Sequence, residues 1–119
     1  MAVESGRVTA TREARMPVRL RGSEVVECLV DTGFTGALML PRKTVRKLGV
    51  SIIGREIFEM VGRRFLTASI TLAEVNWLGQ WRTVRVVVSE ESDSLIGTEM
   101  LDRTRIVIDY VNDTVSVTS

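Results

Sequence analysis

The chain has 119 residues, 45% hydrophobic and 26% charged, with a formal net charge of +1. That fits one globular domain spanning residues 1–119, and leaves no field of one sign to draw nucleic acid or a membrane surface. Histidine is absent and Cys28 is the one cysteine, which excludes a Ser-His-Asp or Cys-His site, histidine-ligated zinc and a thiolate cluster within the chain.

No metal or other cofactor is therefore expected, and acid–base chemistry falls to carboxylates, to Lys43 and Lys47, or to Tyr110. A lone cysteine gives no reason to expect an oxidising compartment. No apolar run approaches membrane-spanning length, and Met1–Arg7 lacks an apolar signal segment. A cytoplasmic protein without membrane or nucleic-acid partners is the expectation.

In chain order, residues 1–16 are polar and weakly patterned, with an edge strand expected around Val8–Ala10 and loose residues before it. Val18-Arg19-Leu20-Arg21 alternates, Gly22-Ser23 breaks the pattern, and Glu24–Val30 runs apolar. This is a hairpin leading into Asp31-Thr32-Gly33. Phe34-Thr35-Gly36 follows, then the apolar run Ala37-Leu38-Met39-Leu40. A carboxylate is thus held in a glycine-containing turn between two strands.

Pro41 suits the first position of a short helix, with Val45 and Leu48 on one face and Gly49 as its stop. Ile57–Met60 and Phe65–Ser69 flank Val61-Gly62-Arg63-Arg64, where Gly62-Arg63 fits a type II′ turn. Ile70, Leu72 and Val75 are expected to pair against Val84, Val86 and Val88 across a turn bracketed by Trp77 and Trp81. After the polar loop at residues 89–93 come Leu95-Ile96-Gly97 and a short amphipathic stretch, Thr98–Arg103. Ile106–Val111 and Thr114–Val117 then flank Asn112-Asp113, which suits a type I′ hairpin. The sum is a mainly antiparallel β domain with two short helices.

Taken alone, Asp31 could be only a turn residue accepting local N–H bonds, and Gly62 a plain hairpin glycine. Cys28 reads as a small core residue rather than a nucleophile. Asp109, inside an apolar strand, is a candidate to pair with an arginine.

In order and context, however, Leu29-Val30-Asp31-Thr32-Gly33-Phe34-Thr35-Gly36, the hairpin around Gly62 and Leu95-Ile96-Gly97-Thr98-Glu99-Met100-Leu101 resemble the retroviral-type aspartic proteases. The likeness is greatest to their cellular and bacterial relatives with Asp-Thr-Gly-Phe-Thr-Gly. Ile106-Val107-Ile108-Asp109-Tyr110 resembles a common ending in that branch, so the resemblance covers roughly residues 16–111. It implies a retropepsin-like closed β-barrel, one half of an acid-protease fold, with a flap hairpin and two short helices.

The resemblance also implies an aspartic endopeptidase without cofactor, acting on a peptide or protein. Asp31 would be the catalytic carboxylate. Thr32 would hydrogen-bond across a dimer axis, and Gly33 would let the backbone approach the partner. Phe34, Thr35, Met60, Val61 and Gly62 would lie near the substrate, with the hairpin from about Phe58 to Phe65 as the flap. Ile57–Met60 and Phe65 would line the cleft. Because Asp-Thr-Gly occurs once, a two-carboxylate site needs a homodimer.

Viral enzymes carry Ala-Asp or Ser-Asp after the glycine, and that acidic residue grips the substrate backbone. Here Phe34 and Thr35 stand instead. The alternative function is accordingly a catalytically weak or inactive retropepsin-like dimerisation or peptide-binding module. A small β-barrel with no cleft is the third reading.

Overall fold

The computed structural model describes residues 2–22, 24–60 and 62–119. Alternating side chains dominate the sequence, and the described residues form ten strands and two short helices. These are β1 (Val3–Val8), β2 (Ala14–Leu20), β3 (Val25–Val30), β4 (Leu38–Pro41), α1 (Arg42–Leu48), β5 (Gly54–Met60) and β6 (Arg64–Trp77). They continue with β7 (Gln80–Ser89), β8 (Leu95–Ile96), α2 (Thr98–Leu101), β9 (Arg105–Asp109) and β10 (Thr114–Thr118).

All the strands belong to one sheet, in the order β5-β6-β7-β4-β8-β3-β2-β1-β10-β9. A further pairing of β6 with β2, Arg19 opposite Asn76 and Leu20 opposite Val75, closes the middle of that sheet into a ring. β2 shows why the ring holds: Ala14, Met16, Val18 and Leu20 are buried while Pro17 and Arg19 face out. The second half of β6 follows suit, with Ala73, Val75 and Trp77 inward.

β4 and the end of β7, Val86–Ser89, run parallel, and these segments are buried on both faces. Leu38, Leu40, Val86 and Val88 join the main core, while Met39 and Val87 join a second cluster with Phe34, Ala68, Ile70 and Leu95. Burial on both faces explains why Leu38-Met39-Leu40 and Val86-Val87-Val88 are continuous apolar runs rather than alternating ones. The second cluster lies beneath the turn that carries Asp31.

Some expectations need correction. β1 is not a loose segment with an edge strand at its end. It runs from Val3 to Val8, pairs with β10 along Val3–Arg7 and with β2 at Arg7 and Val8, and so lies inside the sheet. The β5–β6 hairpin pairs Met60 with Arg64. Arg63 as well as Gly62 has positive φ, 60° and 83°, whereas a type II′ turn needs it only at the first central residue. Asp109 pairs with Thr114, so the β9–β10 connection has four residues rather than the two of a type I′ hairpin.

Pro41 ends β4 and caps α1 from outside, with the helix beginning at Arg42. Gly49 is the left-handed stop, φ 69°, donating its N–H to the Arg46 carbonyl. Of the two tryptophans, Trp77 is buried, while Trp81 is half-exposed under the Arg21 guanidinium, 5.0 Å from its ring centroid. Among the described residues no helix is long and apolar enough to cross a membrane.

Candidate active site

Asp31 follows directly on β3, and its turn is built by β8. That two-residue strand lies between the strands flanking the turn: parallel to β3, with Leu29 opposite Leu95 and Val30 opposite Ile96, and antiparallel to β4, with Leu38 opposite Ile96. The Asp31 N–H donates to the Ile96 carbonyl at 2.9 Å. Gly97 N–H donates to the Ala37 carbonyl at 2.9 Å, Thr98 N–H to Phe34 at 2.9 Å and Glu99 N–H to Gly36 at 3.2 Å. Four hydrogen bonds thus clamp both arms of the turn to one short element.

Inside the turn, the Gly33 N–H donates to Asp31 Oδ1 at 2.9 Å and the Phe34 N–H to the Asp31 carbonyl at 3.1 Å. The carboxylate is therefore oriented through one oxygen, and Oδ2 has no protein hydrogen bond among the described residues. Asp31 is half-buried, Gly33 also, while Thr32 and Thr35 are exposed.

Phe34 differs from its expected place beside the substrate. Its ring is fully buried in the second cluster, 6.0 Å from the Phe58 ring centroid. Two glycines leave room for it. A Cβ at Gly36 would come within 2.6 Å of Phe34 Cζ, and one at Gly97 within 2.6 Å of Phe34 Cδ2. The bulk after the glycine is absorbed under the turn instead of standing over it.

Asp31 opens onto a cleft of about 600 Å³. Its far wall is the first part of β6, Arg64–Ser69, with Met39, Val88, Ser89, Glu90 and Glu91 closing one end. β7 pairs with β6 only from Ile70 onward, opposite Val87. Arg64–Ser69 is therefore bonded to β5 on one side and leaves its other backbone edge to the cleft.

Phe65 lines this cleft as expected, whereas Ile57 is exposed away from it and Phe58 packs on Phe34. Gly62 sits at the hairpin tip and is not among the lining residues. Met60 ends β5, and Val61 lies outside the described residues.

Arg42, Arg55 and Arg64 also face the cleft and were not singled out from the sequence. Arg42 is bound to Glu90, at 2.6 Å from Nη2 to Oε1. That contact raises the arginine pKa and holds the Glu90 carboxyl below its ordinary value. Only Arg64 lies on the unpaired stretch of β6, which shows once the β7 register is known; Arg42 on α1 and Arg55 on β5 carry no such signal. No group of three or more potential metal-ligating side chains gathers among the described residues.

A single strand-borne aspartate turn, clamped by an apolar-apolar-Gly element and set against a hairpin strand, is the arrangement of a retropepsin-like fold. The chain belongs to the aspartyl protease family, whose model matches residues 16–100. It is similar in structure to a retropepsin-like aspartic protease from Rickettsia conorii, with a TM-score of 0.71 at 15% identity, over 97% of this chain and 89% of that one. The protease-reverse transcriptase of a foamy virus, solved in complex with an RNA/DNA hybrid, gives a TM-score of 0.54 at 16% identity, over 73% of this chain and 11% of that one. No curated protein matches the chain in sequence.

Proposed function

We propose that the protein is a homodimeric aspartic endopeptidase in which Asp31 and the partner's Asp31 form one dyad. The observation that carries this reading is the placement of Asp31: one carboxylate per half-site, with Oδ1 fixed by the Gly33 N–H and Oδ2 unbonded at the edge of a cleft. Two carboxyl groups about 3 Å apart cannot both ionise, so the pair holds one proton, as aspartic proteases do as a class.

The charged member takes a proton from a water while the protonated member donates to the scissile carbonyl oxygen. The water oxygen bonds to the carbonyl carbon, giving a tetrahedral diol. Collapse of the diol breaks the C–N bond: the protonated member gives its proton to the leaving nitrogen while the charged member takes one from a diol hydroxyl, so the pair again holds a single proton. Thr32, exposed in the single chain, would meet its counterpart across the axis and hold the two turns together. Gly33 keeps the approach open.

An extended peptide suits the cleft because Arg64–Ser69 offers an unpaired backbone edge, to which a strand can add. The β5–β6 hairpin would close over it as a flap. Thr35, exposed beside the turn, is the group left to hydrogen-bond substrate where viral enzymes use a carboxylate. Burial of Phe34 supports a turning-over enzyme over the inactive binding module, since the ring does not obstruct the dyad.

The test is Asp31→Asn against wild type on a peptide library at acid and neutral pH. Asparagine can keep the Gly33 hydrogen bond but cannot share the proton, so cleavage should fall by about a thousandfold or more. Equal cleavage by the variant overturns the reading, and peptide binding without turnover by wild type replaces it with the binding module.

A further inference from the structure

The open edge of the cleft runs from Arg64 to Ser69, about 16 Å along the strand. Its two ends differ in charge. β7 leaves β6 after Val87, which is opposite Ile70, so Ser89, Glu90 and Glu91 stand at the Ser69 end. Arg55, opposite Ser69, shares that end with them, and Arg42 is already bound to Glu90. Neither sign dominates there. At the other end, next to the hairpin tip, the charge on the strand is Arg64.

The hairpin does not neutralise this arginine. Side chains alternate along a strand, and directly opposed residues share a face. Arg64 therefore lies on one face with Leu66 and Ala68, and with Glu56 and Phe58 of β5. Glu56 is bound to Arg85 on β7. Glu59 is opposite Phe65, and so lies on the other face. Among the described residues Arg64 makes no ion pair.

A strand added along this edge would carry side chains on the same face. One opposite Arg64 meets the guanidinium. Those two and four positions away meet Leu66 and Ala68, an apolar wall continued by Met39. The backbone bonds of such a strand are blind to sequence, so these side-chain positions carry the selection. Arginine presents a planar fork of N–H donors that fits a carboxylate.

We propose that Arg64 sets the specificity of this cleft: it selects an extended peptide carrying aspartate or glutamate two positions from an apolar residue. The inference rests on the peptide cleft read at Asp31 and names the substrate class that cleft takes. Arg64 is exposed, so the pair stays partly solvated and its effect is a few-fold one.

The experiment uses the full chain and labelled peptides with a leucine and, two positions to either side of it, glutamate, glutamine or lysine. Cleavage is read for wild type, Arg64→Glu and Lys47→Glu. Binding is read by fluorescence anisotropy with the same three chains carrying Asp31→Asn. Wild type should favour the glutamate peptide over the lysine peptide by about fivefold or more in kcat/KM, and the ratio should shrink as salt rises. Arg64→Glu should invert the order. Lys47→Glu, the same change of charge at an exposed site outside the cleft, should keep it. Unchanged circular dichroism confirms that each variant is folded.

Cleavage in the same order by wild type and Arg64→Glu, or an order shifted equally by Lys47→Glu, overturns the Arg64 assignment and leaves the Asp31 reading standing. Binding to the Asp31→Asn chains that follows Arg64, without cleavage by wild type, upholds the assignment and removes the catalytic reading. A protein that neither cleaves these peptides nor binds them with Asp31→Asn in place overturns both.

Discussion

Gly97 and Gly36 are in backbone contact across the base of the Asp31 turn: a Cβ at Gly97 would overlap the Gly36 carbonyl oxygen, and would also come within 2.6 Å of the Phe34 carbonyl oxygen. Those are the two carbonyls that accept the Glu99 and Thr98 N–H groups. The glycine is needed for space rather than for its backbone angles, since its φ of −100° is open to any residue.

Gly97→Ala should therefore destabilise the fold by about 3 kcal/mol, at the upper end for overpacking, because the obstacle is backbone that cannot rotate away. Urea denaturation at constant m-value measures it. A loss below about 0.5 kcal/mol, within the range of an ordinary surface substitution, would show that the turn is not clamped as described.

Phe34 is the second test of the same arrangement. Its ring is fully buried between Gly36, Gly97 and Phe58. Truncation to alanine leaves a cavity under the Asp31 turn and should cost about 3–5 kcal/mol. A side chain that lined an open substrate path would cost far less, and would show in peptide affinity instead. The comparison of unfolding free energy with inhibitor or peptide binding separates the two places for the ring.

How much of this was legible in the sequence depends on where the deciding interaction lies. The Asp31 turn, the Gly62 hairpin, the short helix ending at Gly49 and the Leu95-Ile96-Gly97 element each carry a local signal, and the fold follows from their order. β1 was hidden because Val3, Ser5 and Arg7 are exposed and only Val8 is fully buried. It is held by pairing on both sides, and Gly6 is needed where a Cβ would meet the Arg15 backbone.

The direction of Phe34 depends on two glycines, one of them more than sixty residues away, so no local pattern shows it. Asp109 was read as a partner for an arginine because it lies inside an apolar run, Ile106–Val111. Within the chain it instead caps its own turn. The cleft wall at Arg64–Ser69 is invisible until the register of β7 shows where pairing stops.

Cys28 sits between Val26 and Val30 on β3 with its side chain fully buried. Burial pushes its pKa up to about 12, with Arg15 opposing and Glu27 adding. The folded thiol thus stays protonated where an unfolded one, with a pKa of about 8.5, ionises. Native protein at pH 8 should resist a thiol reagent that labels the urea-unfolded chain fully. For stability the sign is negative with rising pH: the unfolded state loses its proton first, so stability declines above about pH 8.5. Cys28→Ala should remove that part of the slope, and rapid native labelling would contradict the burial.

Asp109 gives the opposite sign. Its carboxyl is held below the usual value, first by the Asn112 side chain and then by the Asn112 and Val111 N–H groups. A folded pKa below the unfolded one means that the turn gains from the charged form at neutral pH. The gain is lost as pH falls from about 4, the ordinary aspartate value, through the lower folded one. The amide proton shifts of Val111 and Asn112 should titrate together with a midpoint below that ordinary value. Asp109→Asn replaces Oδ2 with an NH₂ facing the Asn112 NH₂, so it should lower the melting temperature at pH 7 and differ little from wild type near pH 2. A midpoint at or above the ordinary aspartate pKa, or a melting difference that grows on acidification, would show that Asp109 does not cap the turn after β9.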